Sequence, residues 1–134
     1  MANWKVLLVM RKQSISDGMI LEAGEDTHFE MIAVQMYDLA CLTADNFSPD
    51  IAVVEITESG QHHQADKCLA VLDAIRGNHP ACKRVIICSK SDEESYQAAI
   101  AAKQEGRIDG FLLFDHGLKE ILGQLEALMT KAVD

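Results

Sequence analysis

In the stretch "PDIAVVEITESG", four apolar residues, Ile51 to Val54, run without a break and end in Glu55. An unbroken apolar run reads as a strand covered on both faces, and a carboxylate resists such burial. Glu55 is therefore the first residue whose chemistry needs an explanation. His62 and His63, with Glu58 nearby, are metal-ligand types. Adjacent side chains rarely point to one centre, however, and no further ligand pair is spaced for it, so this segment reads as a solvated loop. Asp115 and His116 in "FDHGLKE" join an acid and a base at a strand end. No nucleophile is identifiable beside them, and Asp115 reads as polarity at the start of the last helix. The four cysteines, Cys41, Cys68, Cys82 and Cys88, form no C-x-x-C pair, and two fall in apolar faces. That is the pattern of reduced core thiols, without disulfide or zinc. No G-x-G-x-x-G follows the first apolar run, so a dinucleotide site finds no support.

These residues are positioned by short apolar runs alternating with helical periods. The predicted strands are Lys5 to Met10, Phe29 to Val34, Asp50 to Ile56, Arg84 to Ser89 and Gly110 to Phe114. The first predicted helix is Ser14 to Ala23 with Gly24 as its cap, followed by Tyr37 to Phe47 and by Ala65 to Arg76, which Gly77 and Pro80 stop. Ser91 and Glu94 form a capping box for a fourth helix that ends near Gly106. The last helix, from Leu118, lines up Leu118, Ile121, Leu122, Leu125, Leu128 and Met129 on one stripe. Five strands alternating with five helices predict a doubly wound α/β domain with parallel pairing, right-handed crossovers and helices on both faces. Such a sheet carries its site at the carboxyl ends of the strands, beside a switch in strand order. Glu55 lies at such an end, so its burial should be only partial.

The 134 residues, 49% apolar and 25% charged, suit one globular domain, residues 1–134. A formal charge of −9 argues against a nucleic-acid surface, which needs a basic stripe. No apolar run approaches the roughly 20 residues of a membrane span. The N-terminal "MANWKVLLVMRK" is too short and too strand-like for a signal peptide, so the expected location is cytoplasmic, with no membrane contact.

The order and spacing of these elements, with "PDIAVVEI", "FEMIAVQMYDLACL" and "EGRIDGFLLF", resemble the receiver domains of two-component response regulators, the CheY-like family, over nearly the whole chain. The resemblance implies a flavodoxin-like (βα)5 fold and phosphoryl transfer from a histidine kinase to an aspartate. In the family, an acidic pair after the first strand holds Mg²⁺ and an aspartate after the third accepts phosphate. A hydroxyl after the fourth strand and a lysine after the fifth bind the phosphate oxygens. Here the acidic pair falls on Met10 and Arg11, the acceptor on Glu55, the hydroxyl on Ser89 and the lysine on Phe114. The proline that usually follows the lysine is Asp115, and the small residue that follows the hydroxyl is Lys90. A hard cation demands oxygen ligands, so no metal should bind. The extra methylene of Glu55 moves its carboxylate out of phosphorylating alignment. Metal, acceptor and neutralising cation are then all lost. In their place Glu55 should face Arg11 and Lys90 in a protein-borne ion pair, or imitate a phosphorylated aspartate.

The family's switching pair is matched by Ser89, the hydroxyl, and Phe111, the aromatic of the fifth strand. A serine closing a strand is also ordinary turn chemistry, and a strand phenylalanine is ordinarily core. The reading is a stand-alone, degenerate pseudo-receiver: a signalling module of two-component, phosphorelay type, not an enzyme, with neither cofactor nor metal. It should bind a signalling protein or a second copy through helix four, strand five and helix five without phosphorylation. Ala98, Ala99, Ala101 and Ala102 would admit a neighbouring helix there, and Lys103 and Lys119 should be exposed. The alternatives are an active receiver using a non-standard acceptor and, by analogy of fold alone, a flavodoxin-like small-molecule binder.

Overall fold

A strand buried on both faces needs no polar alternation, and the central strands carry none. The computed structural model describes residues 4–26, 28–56 and 64–131. Along the chain these form β1 (Trp4–Val9), α1 (Gln13–Asp26), β2 (Phe29–Val34), a 3-10 turn (Tyr37–Leu39), α2 (Ala40–Phe47) and β3 (Ile51–Glu55). There follow α3 (Gln64–Asn78), β4 (Lys83–Cys88), α4 (Glu93–Gln104), β5 (Gly110–Leu113) and α5 (Leu118–Lys131). The strands pair in parallel in the order β2-β1-β3-β4-β5, which is the flavodoxin-like, CheY-like arrangement expected from the sequence.

Successive residues of each inner strand serve opposite layers. Val6, Leu8, Ile51, Val53, Val85 and Ile87 pack with Met19 of α1 and Ile121 and Leu125 of α5. Leu7, Val9, Ala52, Val54, Ile86 and Cys88 pack with Ala44 of α2, Leu72 and Ile75 of α3 and Ala99 of α4. Glu55 follows Val54 and so turns toward the α1/α5 layer.

Element ends differ from the sequence reading where a local signal loses to packing. Helix α1 runs through Gly24 and α3 through Gly77, since a helical glycine costs only about 1 kcal/mol and ends nothing by itself. The start of the second predicted helix is a 3-10 turn, and α2 closes at Ser48 in a left-handed conformation (φ 54°) just before Pro49. Helix α4 is capped by Asp92, whose carboxylate accepts the Ser95 amide at 3.3 Å and the Ser95 hydroxyl at 2.6 Å, and not by a Ser91–Glu94 box. The alanines of α4 divide: Ala99 and Ala102 face the core and Ala101 faces solvent, so they form no continuous docking stripe. Cys41, Cys68, Cys82 and Cys88 are free thiols. Among the described residues, no helix is long and apolar enough to cross a membrane.

Leu72 is fully buried, whereas Leu42 is 63% exposed. Leu72→Ala should therefore cost about 2–5 kcal/mol and Leu42→Ala less than about 0.5 kcal/mol, read from urea unfolding midpoints at constant slope.

Candidate functional site

Strand β1 pairs with β2 on one side and β3 on the other, so the chain's crossovers part there and leave a crevice at the carboxyl ends. Met10, Arg11 and Lys12 follow β1, and Glu55 ends β3 in register with Ile87 of β4. Ser89 and Lys90 follow β4, and Phe114 and Asp115 follow β5. The fold thus brings Met10, Arg11, Glu55, Ser89, Lys90, Phe114 and Asp115 to one end of the sheet, whereas Phe111 lies within β5, in register with Ile86 of β4.

Glu55 is the centre of this end, and its burial is nearly complete, with 1% of its surface exposed, where partial burial was expected. Its Oε1 accepts the Arg11 amide at 2.7 Å and the Lys12 amide at 3.3 Å. The Tyr37 hydroxyl donates to the Glu55 backbone oxygen and fixes the strand end from the α2 side. Oε2 is buried and meets no hydrogen-bond donor among the described residues. Burial raises the Glu55 pKa above its ordinary 4.5, against the opposing pull of the Lys12 and Arg11 amides and the charges of the same two residues.

The expected ion pairs with Arg11 and Lys90 are absent. Arg11 is exposed and meets Glu55 through its backbone amide, because a carboxylate this deep is reached by main-chain donors without burying a guanidinium. Lys90 is exposed as well, and its amide donates to Asp115 Oδ1 at 2.8 Å. Asp115 therefore ties the loop after β5 to the loop after β4 and does not serve the start of α5. His116, two residues before α5, places its Nδ1 3.1 Å from Oε2 of Glu120 in the helix's first turn.

Lys12, passed over in the sequence, carries the nearest useful charge. Its Nζ sits 4.5 Å from the centroid of the Phe114 ring, at the position where the resemblance looks for a lysine. The signal available was the adjacency of Lys12 to Arg11; its direction was not readable, since it depends on how two distant loops meet. Met10 turns into the α1/α5 core at 1% exposure, which explains an apolar residue at an acidic position. Ser89 Oγ lies 2.8 Å from Ser91 Oγ and accepts the Ser91 amide at 3.3 Å, so its hydroxyl is spent within its own turn. Phe111 is partly buried and meets Tyr96 of α4 edge to face, with ring centroids 6.0 Å apart. Two core thiols are held protonated by burial: Cys68 is pushed up and Cys82 is pushed up to about 12. The His62–His63 segment and Glu58 lie outside the described residues.

Neither a protein-family model nor a curated protein matches the chain. Its likeness is to solved structures. The receiver domain of Francisella response regulator 1452 superposes with a TM-score of 0.74 at 15% identity, covering 97% of this chain and 99% of that one. Vibrio cholerae chemotaxis protein CheY4 gives 0.68 at 17% identity, over 95% and 99% of the two chains. A Rhodopirellula baltica adenylate cyclase structure gives 0.77 at 19% identity, over 96% and 88%. At these identities the shared property is the receiver fold, which agrees with the strand order and the position of the crevice.

Glu55→Gln keeps an acceptor oxygen for the Arg11 and Lys12 amides and removes the ionisable group. With its pKa raised above 4.5 by folding, Glu55 makes the native state bind more protons than the unfolded chain, so stability falls as pH rises. The contribution is complete below the unfolded value and is lost as pH climbs through the higher folded one. In urea unfolding, the stability of Glu55→Gln relative to the natural chain should therefore increase from about pH 4 to about pH 7. A difference that stays constant over this range would mean that Glu55 titrates like an exposed carboxylate.

Proposed function

We propose that this domain is a pseudo-receiver, a signalling module with the receiver fold that acts by protein–protein contact and takes no phosphoryl group. The observation that carries the reading is the enclosure of Glu55: the side chain at the acceptor position is buried and already occupied by two amides. The donor set around it does not fit a hard divalent cation. Met10 offers no oxygen ligand, and the charges acting on Glu55 from the β1 side are those of Lys12 and Arg11. A cation is supplied by the chain itself, with Lys12 over Phe114.

The contact surface in this reading is the face of α4, β5 and α5. Phe111 and Tyr96 form an aromatic pair there, and Lys103 and Lys119 are exposed. A cavity of about 460 Å³ beside β5 is lined by Lys103, Phe111, Gln124, Ala127 and Leu128, among others. The strand is an edge of the sheet, open on its outer side.

Incubation with acetyl phosphate and Mg²⁺ should leave the intact mass unchanged. An acid-labile phosphoryl adduct would overturn the reading in favour of an active receiver with a non-standard acceptor.

Charge reversal at Lys103 and Lys119 together should weaken association, with a second copy or with a signalling partner, by about threefold or more, and change unfolding stability by less than about 0.5 kcal/mol. Sedimentation velocity or titration calorimetry without any phosphodonor reads the first quantity. Association that is indifferent to both reversals would remove this face from the proposal.

A further inference from the structure

On the β2 side of the crevice lies a cavity of about 480 Å³ whose wall includes Arg11, Met36, Tyr37, Asp38, Lys67 and Val71. Its size falls within the range of about 300–1,000 Å³ typical of small-ligand pockets, and it opens where doubly wound sheets bind ligands. Two features of its wall are unusual for this chain. The protein has a formal charge of −9, yet among the described residues two cations meet in one cavity against a single carboxylate, Asp38. Arg11 and Lys67 are both exposed, and neither side chain has a hydrogen bond or ion pair among the described residues. The remaining wall is mixed: the exposed amide side chain of Gln35 lies among the apolar contacts of Met36, Tyr37, Ala70 and Val71. Met36 is 55% exposed, Val71 is half-buried, and the Tyr37 ring is held in place by the hydroxyl bond to Glu55.

We propose that this cavity binds a small organic acid carrying one negative charge, with its carboxylate on Arg11 and Lys67 and its apolar body against Met36, Tyr37 and Val71. A guanidinium and an ammonium are the side chains that recognise a carboxylate by charge-assisted hydrogen bonds. Asp38 limits the charge: among the described residues of the wall, two cations against one carboxylate balance a monoanion, and the second charge of a phosphate monoester would face Asp38 uncompensated. The Met36 thioether is a flexible apolar contact suited to a ligand body of varied shape. Occupancy also reaches the crevice, because the cavity residues Arg11 and Tyr37 are two of the residues that hold Glu55. A ligand there would bias the same strand end that phosphate biases in the family that this sequence resembles. The site stands apart from the proposed α4–β5–α5 surface and holds or fails independently of the phosphodonor result.

The test is a titration of the full chain, ¹⁵N-labelled, with benzoate, phenylacetate and hexanoate, against benzamide as a neutral analogue and phenyl phosphate as a dianion. At least one acid should give saturable shifts at the amides of Arg11, Met36, Tyr37, Lys67 and Val71. Benzamide and phenyl phosphate should bind about fivefold more weakly or worse than the acid. Arg11→Gln retains the backbone amide that Glu55 needs, and it and Lys67→Gln should each weaken binding about threefold or more, with Lys90→Gln as an unaffected control. The proposal is overturned if none of the three acids gives saturable shifts up to about 10 mM. It is equally overturned if benzamide or phenyl phosphate matches the best acid, or if both glutamine variants bind as the natural chain does.

Discussion

One oxygen atom, Glu55 Oε1, joins the ends of β1 and β3 by accepting the amides of Arg11 and Lys12. The carboxyl end of the sheet is arranged around that junction. The carboxylate is inside because the strand that delivers it is covered on both faces, and it stays inside because main-chain donors reach it without bringing another side chain along. An amide fixed by the start of a helix loses little entropy when it binds, whereas a guanidinium or ammonium drawn in as far would have to shed its water. The cost is visible at Oε2, which has no donor among the described residues, and in the raised pKa that burial produces.

The positive charge near this site comes from the β1 side of the crevice. A lysine from strand five would approach the crevice from the β5 side. Here that side presents the Phe114 ring, and Lys12 from the β1 side lays its ammonium over it. A cation against an aromatic face is held by the ring quadrupole and needs no carboxylate partner. Lys12 therefore contributes its field to Glu55 without forming an ion pair, which keeps the buried carboxyl isolated from any strong counter-charge.

The loops on the β4 and β5 side are drawn together by a different set of bonds. Asp115 holds the Lys90 amide, Ser89 and Ser91 close on each other, and Asp92 caps α4. Each side chain satisfies main-chain or hydroxyl groups of a neighbouring turn, and none is directed at Glu55. The two sides of the crevice meet at Phe114, which has Lys12 over its ring and is followed in the chain by Asp115. The Tyr96–Phe111 contact lies farther out, between α4 and β5.

The fold was legible because burial is written locally. The unbroken runs Val6–Val9, Ile51–Val54 and Val85–Cys88 declare strands with two covered faces, and the stripe from Leu118 to Leu125 declares a helix with one. The meeting of Met10, Arg11, Glu55, Ser89 and Phe114 at one end followed from the parallel pairing of the strands. What those side chains do once together was not legible. Arg11 was expected to offer its guanidinium and offers its amide; Lys90 was expected at Glu55 and its amide binds Asp115; Lys12 was passed over and is the residue that covers Phe114. Hydrophobic periodicity is a property of one segment, so the sequence by itself determined the layers of this protein. The partner of a buried carboxylate is set by the meeting of loops more than 40 residues apart and by the cost of desolvating each possible donor, and that was decided only by the tertiary structure.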